Sequence, residues 1–377
     1  MFPEIAWSEE LTSQYVKQQL RRLKSIQIIS HDIKNAVIAL MEGAKEGPTI
    51  ALRADMDALP IHEAASHDYS SRHEGVMHAC GHDGHMAILL ATALVLDKTR
   101  DEWQGRVLFI FQPAEEGGYG AQKICETGIL KQYHAAAIYG LHAWPGLKAG
   151  TLATRKGALM AADSHIKIEI NGAGCHAAMP HLGTDQVLIA ARIIDGLQSI
   201  RSRFSAPTEP VVLSICKVGA GKAINVIPAA VTLEGTLRTI HEETRNSSCE
   251  AITTMAGHIA KAHRATATTF IEHHYPVTCN HAGATDFLFQ VAGRKLRAGQ
   301  LQALELPSMA AEDFSYYLKE IPGCFCFLGV DRPSDDNFPL HHPSFNFNDE
   351  ALQTGIEFFV ALVSSLNELP PSFLPKE

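Results

Sequence analysis

The residues best able to do chemistry sit in short polar segments at the tips of apolar runs. Cys80 and His82 lie two apart in Cys80-Gly81-His82-Asp83-Gly84-His85. Glu115 and Glu116 follow Val107-Leu108-Phe109-Ile110-Phe111, His142 follows an apolar run beginning at Ala135, and His341-His342 stands near the far end. In an extended or turning segment Cys80 and His82 can reach neighbouring ions. With Glu116, His142 and His341 they could complete a two-metal cage of sulfur, nitrogen and oxygen donors. That mixture suits zinc and tolerates manganese or cobalt. Any one pair is weak evidence, because buried cysteine is commonly a small apolar residue and histidine a satisfied polar one. The weight comes from several strand ends pointing to the same chemistry.

The adjacent carboxylates of Glu115 and Glu116 repel, so at the end of a buried strand they need a cation or a shared proton. If one ligates a metal, the other can take a proton from a water that the cation acidifies, and later hand it to a leaving amine. We read Glu116 as ligand and Glu115 as base, an assignment that the sequence does not separate from its reverse. By chemistry alone, either His341 or His342 could be the last ligand. Gly117, Gly118 and Gly120 lack the pattern of a phosphate loop and follow two acids that repel phosphate, which argues against nucleotide binding. His78 and His85 are expected to make local hydrogen bonds, and Cys324 and Cys326, either side of Phe325, to fill core.

The elements that must position these residues alternate. An opening helix is expected over 9–24, a buried strand at Thr49–Leu52, an apolar helix over 86–97, and strands at 107–111 and 135–139. Strand, polar tip and helix in repetition mark an α/β sheet with ligands beyond the carboxyl ends of its strands. Near Met160 the rhythm changes: His165-Ile166-Lys167-Ile168-Glu169-Ile170 alternates with period two, as in a sheet with one wet face. A helix over 185–200, strands near 211–218 and 231–237, a helix over 249–263 and a strand near 267–271 complete a compact α+β insert. Helices near 284–291, 312–318 and 350–366 and the apolar run 324–328 return to the first style. The expected architecture is an α/β catalytic domain with a central, mostly parallel sheet (1–159 and 274–377), interrupted by a smaller α+β domain (160–273).

Composition narrows the function. The chain has 377 residues, 46% hydrophobic and 19% charged, with a net charge of -9, and it has no basic stripe for phosphates or an anionic membrane surface. We expect no nucleic-acid partner and no membrane partner. No basic segment followed by an apolar one is read at Met1-Phe2-Pro3-Glu4, and the longest apolar stretch, near 87–96, is too short to span a bilayer. Eight scattered cysteines are unlike the dense framework of a small secreted domain and fit a reduced cytoplasm.

Taken together, several stretches resemble the two-metal aminoacylases and carboxypeptidases, in particular their N-acyl-amino-acid amidohydrolase branch (hippurate hydrolase, auxin-conjugate hydrolase, N-acetyldiaminopimelate deacetylase). They are Arg53-Ala54-Asp55-Met56-Asp57-Ala58-Leu59-Pro60, His78 to His85, Gln112 to Gly118, Gly140-Leu141-His142, His176-Ala177-Ala178-Met179-Pro180-His181, Asn225-Val226-Ile227-Pro228, Gly235-Thr236-Leu237-Arg238, Glu312-Asp313-Phe314 and Leu340-His341-His342-Pro343-Ser344-Phe345.

The resemblance implies that Cys80, His82, Glu116, His142 and His341 hold two divalent metal ions per subunit (Zn, Mn or Co), with Cys80 bridging and Glu115 as base. It implies that Asp57 orients a ligand. The insert becomes a lid and dimerisation domain whose His176 stabilises an oxyanion, often in the partner subunit's site, while Asn225 and Arg238 hold the substrate carboxylate. Spacing to Phe345 in that family favours His341 over His342. The substrate would be a small N-acyl-amino acid, hydrolysed to a carboxylic acid and a free amino acid by a homodimer or higher homo-oligomer. A dipeptidase or carboxypeptidase is the neighbouring reading, and a non-catalytic metal-binding protein the reading from another class. Relatives usually carry a longer N-terminal helix before the proline, whereas here Pro3 is almost the first residue.

Overall fold

A computed structural model describes residues 1–65, 67–334 and 336–373, so the last residues of the expected second catalytic stretch, 374–377, lie outside the described residues. The chain divides into two compact units. The first comprises Met1–Leu159, Cys279–Leu306 and the chain from Asp313 onward; the second comprises Met160–Thr278 and Pro307–Glu312.

The first unit is built on an eight-stranded mixed sheet. Its order is Ile26–Ile28, Val37–Glu42, Gln104–Gln112, Lys45–Asp55, Ala135–Lys148, Gly323–Asp331, Leu152–Thr154 and Leu301–Ala303. The four central strands from Gln104–Gln112 to Gly323–Asp331 run parallel, and antiparallel strands join them at the margins. These central strands read as continuous apolar runs because helices cover both faces of such a sheet. Ile50, Leu52, Val107, Phe109, Phe111, Ala137 and Tyr139 are all buried. At Gly140 a side chain would have no room: a Cβ there would lie 2.8 Å from Phe314 and 2.9 Å from Phe325.

Parallel register sets the level of the strand tips. Arg53 is paired with Ile110 on one side and Gly140 on the other, and Asp55 with Gln112. The acids of the first tip and the glutamates of the second therefore emerge on one edge, level with His142, which lies within the third strand because that strand runs on to Lys148 and does not end at the expected 139. The His82–Lys98 helix begins at that edge after Gly81, whose φ of +81° favours glycine.

The second unit is a four-stranded antiparallel sheet, ordered Val211–Gly219, Ala230–Thr239, Ala162–Asn171, Thr266–His273. Ile166, Ile168, Ile170, Leu233 and Leu237 pack with Ile189, Ile193 and Leu197 of the Gln186–Ser199 helix and with Ile252 and Ala256 of Glu242–Ala262. The opposite face carries exposed His165 and Lys167, as the period-two pattern requires. A two-residue ribbon pairs Cys175–His176 with Val226–Ile227.

The α/β class and the mostly parallel central sheet are those expected. Several helix boundaries differ. The opening helix ends at Leu20 and not at 24, the helix expected from 86 starts at His82, and the one expected to end at 291 runs to Lys295. Glu242–Ala262 starts seven residues before the expected 249, because its first turns are polar and show no apolar repeat. The short helix expected at 312 begins at Ser315, since the Asp313 carboxylate is taken up by side chains far along the chain. The strands at Val37–Glu42, Leu152–Thr154 and Leu301–Ala303 are too short, or too close to their neighbours, to stand out by periodicity.

Where the chain re-enters the first unit, Asn280 acts as a peg. Its Nδ2 donates to Thr154 Oγ1 (3.0 Å), Arg155 O (3.0 Å) and Phe325 O (2.9 Å), and its Oδ1 accepts the Phe325 N–H (2.7 Å). Asn280→Ala strands several buried groups, each costing roughly 1–3 kcal/mol. A loss of about 2–4 kcal/mol in urea unfolding is expected.

Candidate metal centre

Cys80 is the meeting point. Its Sγ lies 3.4 Å from His142 Nε2 and 3.4 Å from His341 Nε2. His341 Nε2 in turn lies 3.2 Å from Glu116 Oε1. Donor atoms of Cys80, His82 and His142 all fall within 4.8 Å of one another, and so do those of Cys80, Glu116 and His341. Five residues from four separate segments thus form two overlapping triads that share one sulfur.

Hydrogen bonds fix which ring nitrogen each histidine presents. His82 Nδ1 donates to the Asp57 carbonyl at 2.8 Å, and His142 Nδ1 to the Ala143 carbonyl at 2.7 Å. With Nδ1 carrying the hydrogen, Nε2 of each neutral ring is left with a lone pair, as metal-ligating histidines require. Buried His82 Nε2 has no hydrogen-bond partner among the described residues. His85 is different. Its Nδ1 is 2.6 Å from Asp55 Oδ1 and its Nε2 accepts the Ala143 N–H at 2.7 Å, so neither nitrogen is available. His342 accepts the Ser344 N–H on Nδ1 (3.0 Å) and stacks on Phe338. Of the two adjacent histidines, only His341 comes within reach of Cys80; it adopts a left-handed φ of +64°.

The electrostatics ask for positive charge. Burial pushes His82 down, but Asp55, Asp57 and Glu116 outweigh it and hold the ring up at about 10. Asp55 Oδ2 lies 3.8 Å from Nε2, beyond hydrogen-bond reach. A cation at that position answers the same field and uses the lone pair. Burial, then Glu116, Glu115 and Asp55, push the Cys80 thiol well up. A bound cation reverses that preference, since metal coordination deprotonates a thiol. His142 and His85, dominated by burial, are lowered to about 4 and stay neutral. The donor set fits a pair of divalent ions.

Behind these donors lies a buried polar lattice. Asp57 Oδ2 accepts the Glu116 N–H at 2.8 Å, and Asp57 Oδ1 lies 3.3 Å from His82 Nδ1, so one carboxylate braces both triads. Arg53, fully buried, donates to Asp55 Oδ2 (2.6 Å), Gln112 Oε1 (2.8 Å) and Asp313 Oδ1 (2.9 Å). Gln112 and the Ala121 N–H also bind Asp313, whose own N–H lies 3.4 Å from Glu115 Oε1. In the sequence Arg53, Asp55 and Asp313 stand only as members of motifs, with no visible task of their own. The missed signal is Arg53 itself, a charge inside an otherwise apolar strand.

The remaining expected residues lie in the second unit. His176 pairs with Val226 in its ribbon, and just beyond that pair the Ala177 N–H donates to Asn225 O at 3.0 Å. His176 Nδ1 accepts the Ala178 N–H at 3.1 Å. Arg238 lies elsewhere, on the sheet, with Nε 3.1 Å from Asp163 Oδ1. Asp163, His165 and His274 also present donors within 4.8 Å of one another, but Arg238 already supplies positive charge to that carboxylate.

Comparison with known proteins gives an independent view. The model for Peptidase family M20/M25/M40 matches residues 51–365. An N-acetyl-L-cysteine deacetylase of Bacillus subtilis is 40% identical over 352 residues, 93% of this chain and 82% of that one. Thermostable carboxypeptidase 2 of Saccharolobus solfataricus is 34% identical over 94% of this chain and 89% of its own. The crystal structure of a dinuclear metal-binding peptidase of the M20 family from Bacillus subtilis superposes with a TM-score of 0.85 at 34% identity, covering 98% of this chain and 95% of that one.

The two triads share only Cys80, which predicts how metal content will respond to substitution. His82→Ala or His142→Ala should empty one position, Glu116→Ala or His341→Ala the other, and Cys80→Ala should weaken both by about tenfold or more. Metal per chain after dialysis against graded chelator is the measurement. Equal loss in all five variants would contradict the split.

Proposed function

The chain belongs to peptidase family M20/M25/M40, and on that premise we propose that it hydrolyses the amide bond of N-acyl-amino acids with two divalent metal ions held by Cys80, His82, Glu116, His142 and His341. The convergence of those five side chains on the Cys80 sulfur carries the reading. The mixed donor set suits zinc, manganese or cobalt. When bound, the ions polarise a scissile carbonyl and acidify water.

Glu115 is the base in this proposal. Its carboxylate is buried beside the donors, and it accepts a proton from the attacking water and returns it to the departing amine. Asp57 holds the adjoining Glu116 backbone and the His82 ring in place. His176 supplies the oxyanion donor. A backbone N–H can only donate, so the Ala178 bond makes Nδ1 the acceptor and leaves the hydrogen of the neutral ring on Nε2. Asn225, whose carbonyl accepts the Ala177 N–H next to it, helps to hold the substrate end. Arg238 takes the substrate carboxylate: Asp163 holds it through Nε, and its Nη edge has the bidentate geometry that a carboxylate fits.

The interrupting region, 160–273, is the lid and dimerisation domain in this reading, with 1–159 and 274–377 the catalytic domain. Exposed Met179, Leu182, Ile224 and Val226 lie on and beside the His176 ribbon. Apolar exposure of that kind supports a homodimer or higher homo-oligomer. Among the described residues no helix is long and apolar enough to cross a membrane. Eight free cysteines support a cytoplasmic setting.

A panel of N-acetyl-amino acids, N-benzoyl-amino acids and dipeptides, assayed with each added metal, tests the proposal. N-acyl-amino acids should be the best substrates. Glu115→Gln should lose about 10²–10⁴-fold in kcat and His176→Ala about 10²–10³-fold. Preference for dipeptides would move the assignment to a carboxypeptidase, and wild-type turnover in Glu115→Gln would remove the base.

A further inference from the structure

The turn that delivers Glu115 and Glu116 is held in a costly conformation. Ala114, immediately before Glu115, is completely buried and has φ +56°, the left-handed region that a residue with a Cβ rarely occupies. The turn is also tight. The Gly120 N–H donates to Ala114 O at 3.0 Å, and a Cβ on Gly118 would fall 2.6 Å from that of Ala114 and 2.9 Å from Trp7 Nε1. Such strain persists only where the surroundings over-determine it.

The groups that do so come from the opening residues of the chain. Glu9 is fully buried; its Oε1 accepts the Ala114 N–H at 2.8 Å and its Oε2 the Asn35 amide at 3.2 Å. Trp7 donates from Nε1 to Gly118 O at 3.0 Å. The Glu4 carbonyl accepts the Ala58 N–H at 2.8 Å, one residue from Asp57. The Glu4 carboxylate in turn accepts the Leu11 and Thr12 N–H groups at the start of the Glu10–Leu20 helix. A short segment therefore touches the backbone next to Asp57, next to Glu115 and two residues beyond Glu116. A buried carboxylate is costly unless its oxygens are hydrogen-bonded, and each of the two Glu9 oxygens has a donor.

We propose that Glu9 is a positioning residue: by accepting the Ala114 N–H it locks the left-handed turn and fixes where the Glu115 carboxylate stands. Trp7 supports the same turn from its other end. The inference rests on Glu115 acting as base. If Ala114 relaxed to negative φ, the peptide bearing Glu115 would rotate, and an error of about 1 Å in a reacting group can cost roughly 10²-fold in rate.

The test compares Glu9→Ala, Glu9→Gln and Glu115→Gln in the metal-loaded enzyme, with an N-acetyl-amino acid as substrate and metal per chain measured in parallel. Glu9→Ala should lose about 10–100-fold in kcat with KM within about threefold and metal content unchanged. Glu9→Gln should recover most of the loss, because its amide oxygen can accept the Ala114 N–H while Asn35 turns its amide over. A Glu9→Ala kcat within about twofold of wild type, a loss that only follows lost metal, or a Glu9→Gln enzyme as slow as Glu9→Ala would each overturn the proposal. If Glu9→Ala does not fold, Trp7→Phe decides: kcat lowered by about threefold or more at constant KM supports the clamp, and unchanged kcat overturns it. Glu115→Gln separates the two ideas. Full activity there removes the base, whereas an inactive Glu115→Gln beside an unimpaired Glu9→Ala removes only the positioning role.

Discussion

Carboxylates crowded at one sheet edge are the constraint from which the rest of this structure follows. Asp55, Asp57, Glu115 and Asp313 are all buried at or just beyond the ends of parallel strands or in the loop that meets them, and Glu116 is nearly so. So many like charges in a low-dielectric place cannot stand without compensation. Arg53 supplies it from the inside, bridging Asp55 and Asp313 with its guanidinium and holding Asp55 well below the usual carboxylate range against the opposing push of burial. The outer side of the same cluster carries the imidazoles and the thiol. One layer is satisfied by a fixed side-chain cation, and the other presents donor atoms that fit divalent ions.

This division explains why the sheet is parallel where it matters. A single antiparallel neighbour would send its carboxyl end to the opposite edge. With the four central strands aligned, Asp55 and Gln112 fall level, His142 rises from the adjacent strand, and the Glu115 loop continues from Gln112. The His82–Lys98 helix starts at the same edge, so its N-terminal N–H groups add a favourable field for a thiolate at Cys80. Arg53 stays at the base of this arrangement because Gly140 beside it has no side chain and lets Phe314 and Phe325 close over the strand.

Much of this was legible in the sequence, and for a physical reason. Polar residues with metal or acid–base chemistry stand out beside apolar runs, so Cys80, His82, Glu115, Glu116 and His142 announce themselves by contrast. His341 is legible only as one of two neighbours, because no periodic element carries it. The bracing residues are harder to read. Asp313 belongs to the lattice through contacts with residues some two hundred positions or more away in the chain, and nothing local predicts them. Glu9 sits in a polar stretch of the opening helix region and looks like a solvated acid, although it is completely buried. The same holds for the left-handed turn at Ala114, since alanine is not a residue that signals positive φ.

The histidines show where residue type stops being informative. His82 and His85 lie three apart at the start of one helix, are both buried and both face Asp55, so any rule based on spacing treats them alike. Their second hydrogen bonds separate them. The Asp57 carbonyl takes the hydrogen of His82 Nδ1 and leaves Nε2 as a lone pair, whereas the Ala143 N–H occupies Nε2 of His85 and turns that ring into a strut between Asp55 and the His142 strand. The proposed ligand and the support thus differ by one backbone group. That group is placed by the register of a strand far away in sequence, so which imidazole keeps a nitrogen open to a cation is a property of the sheet as much as of the side chain.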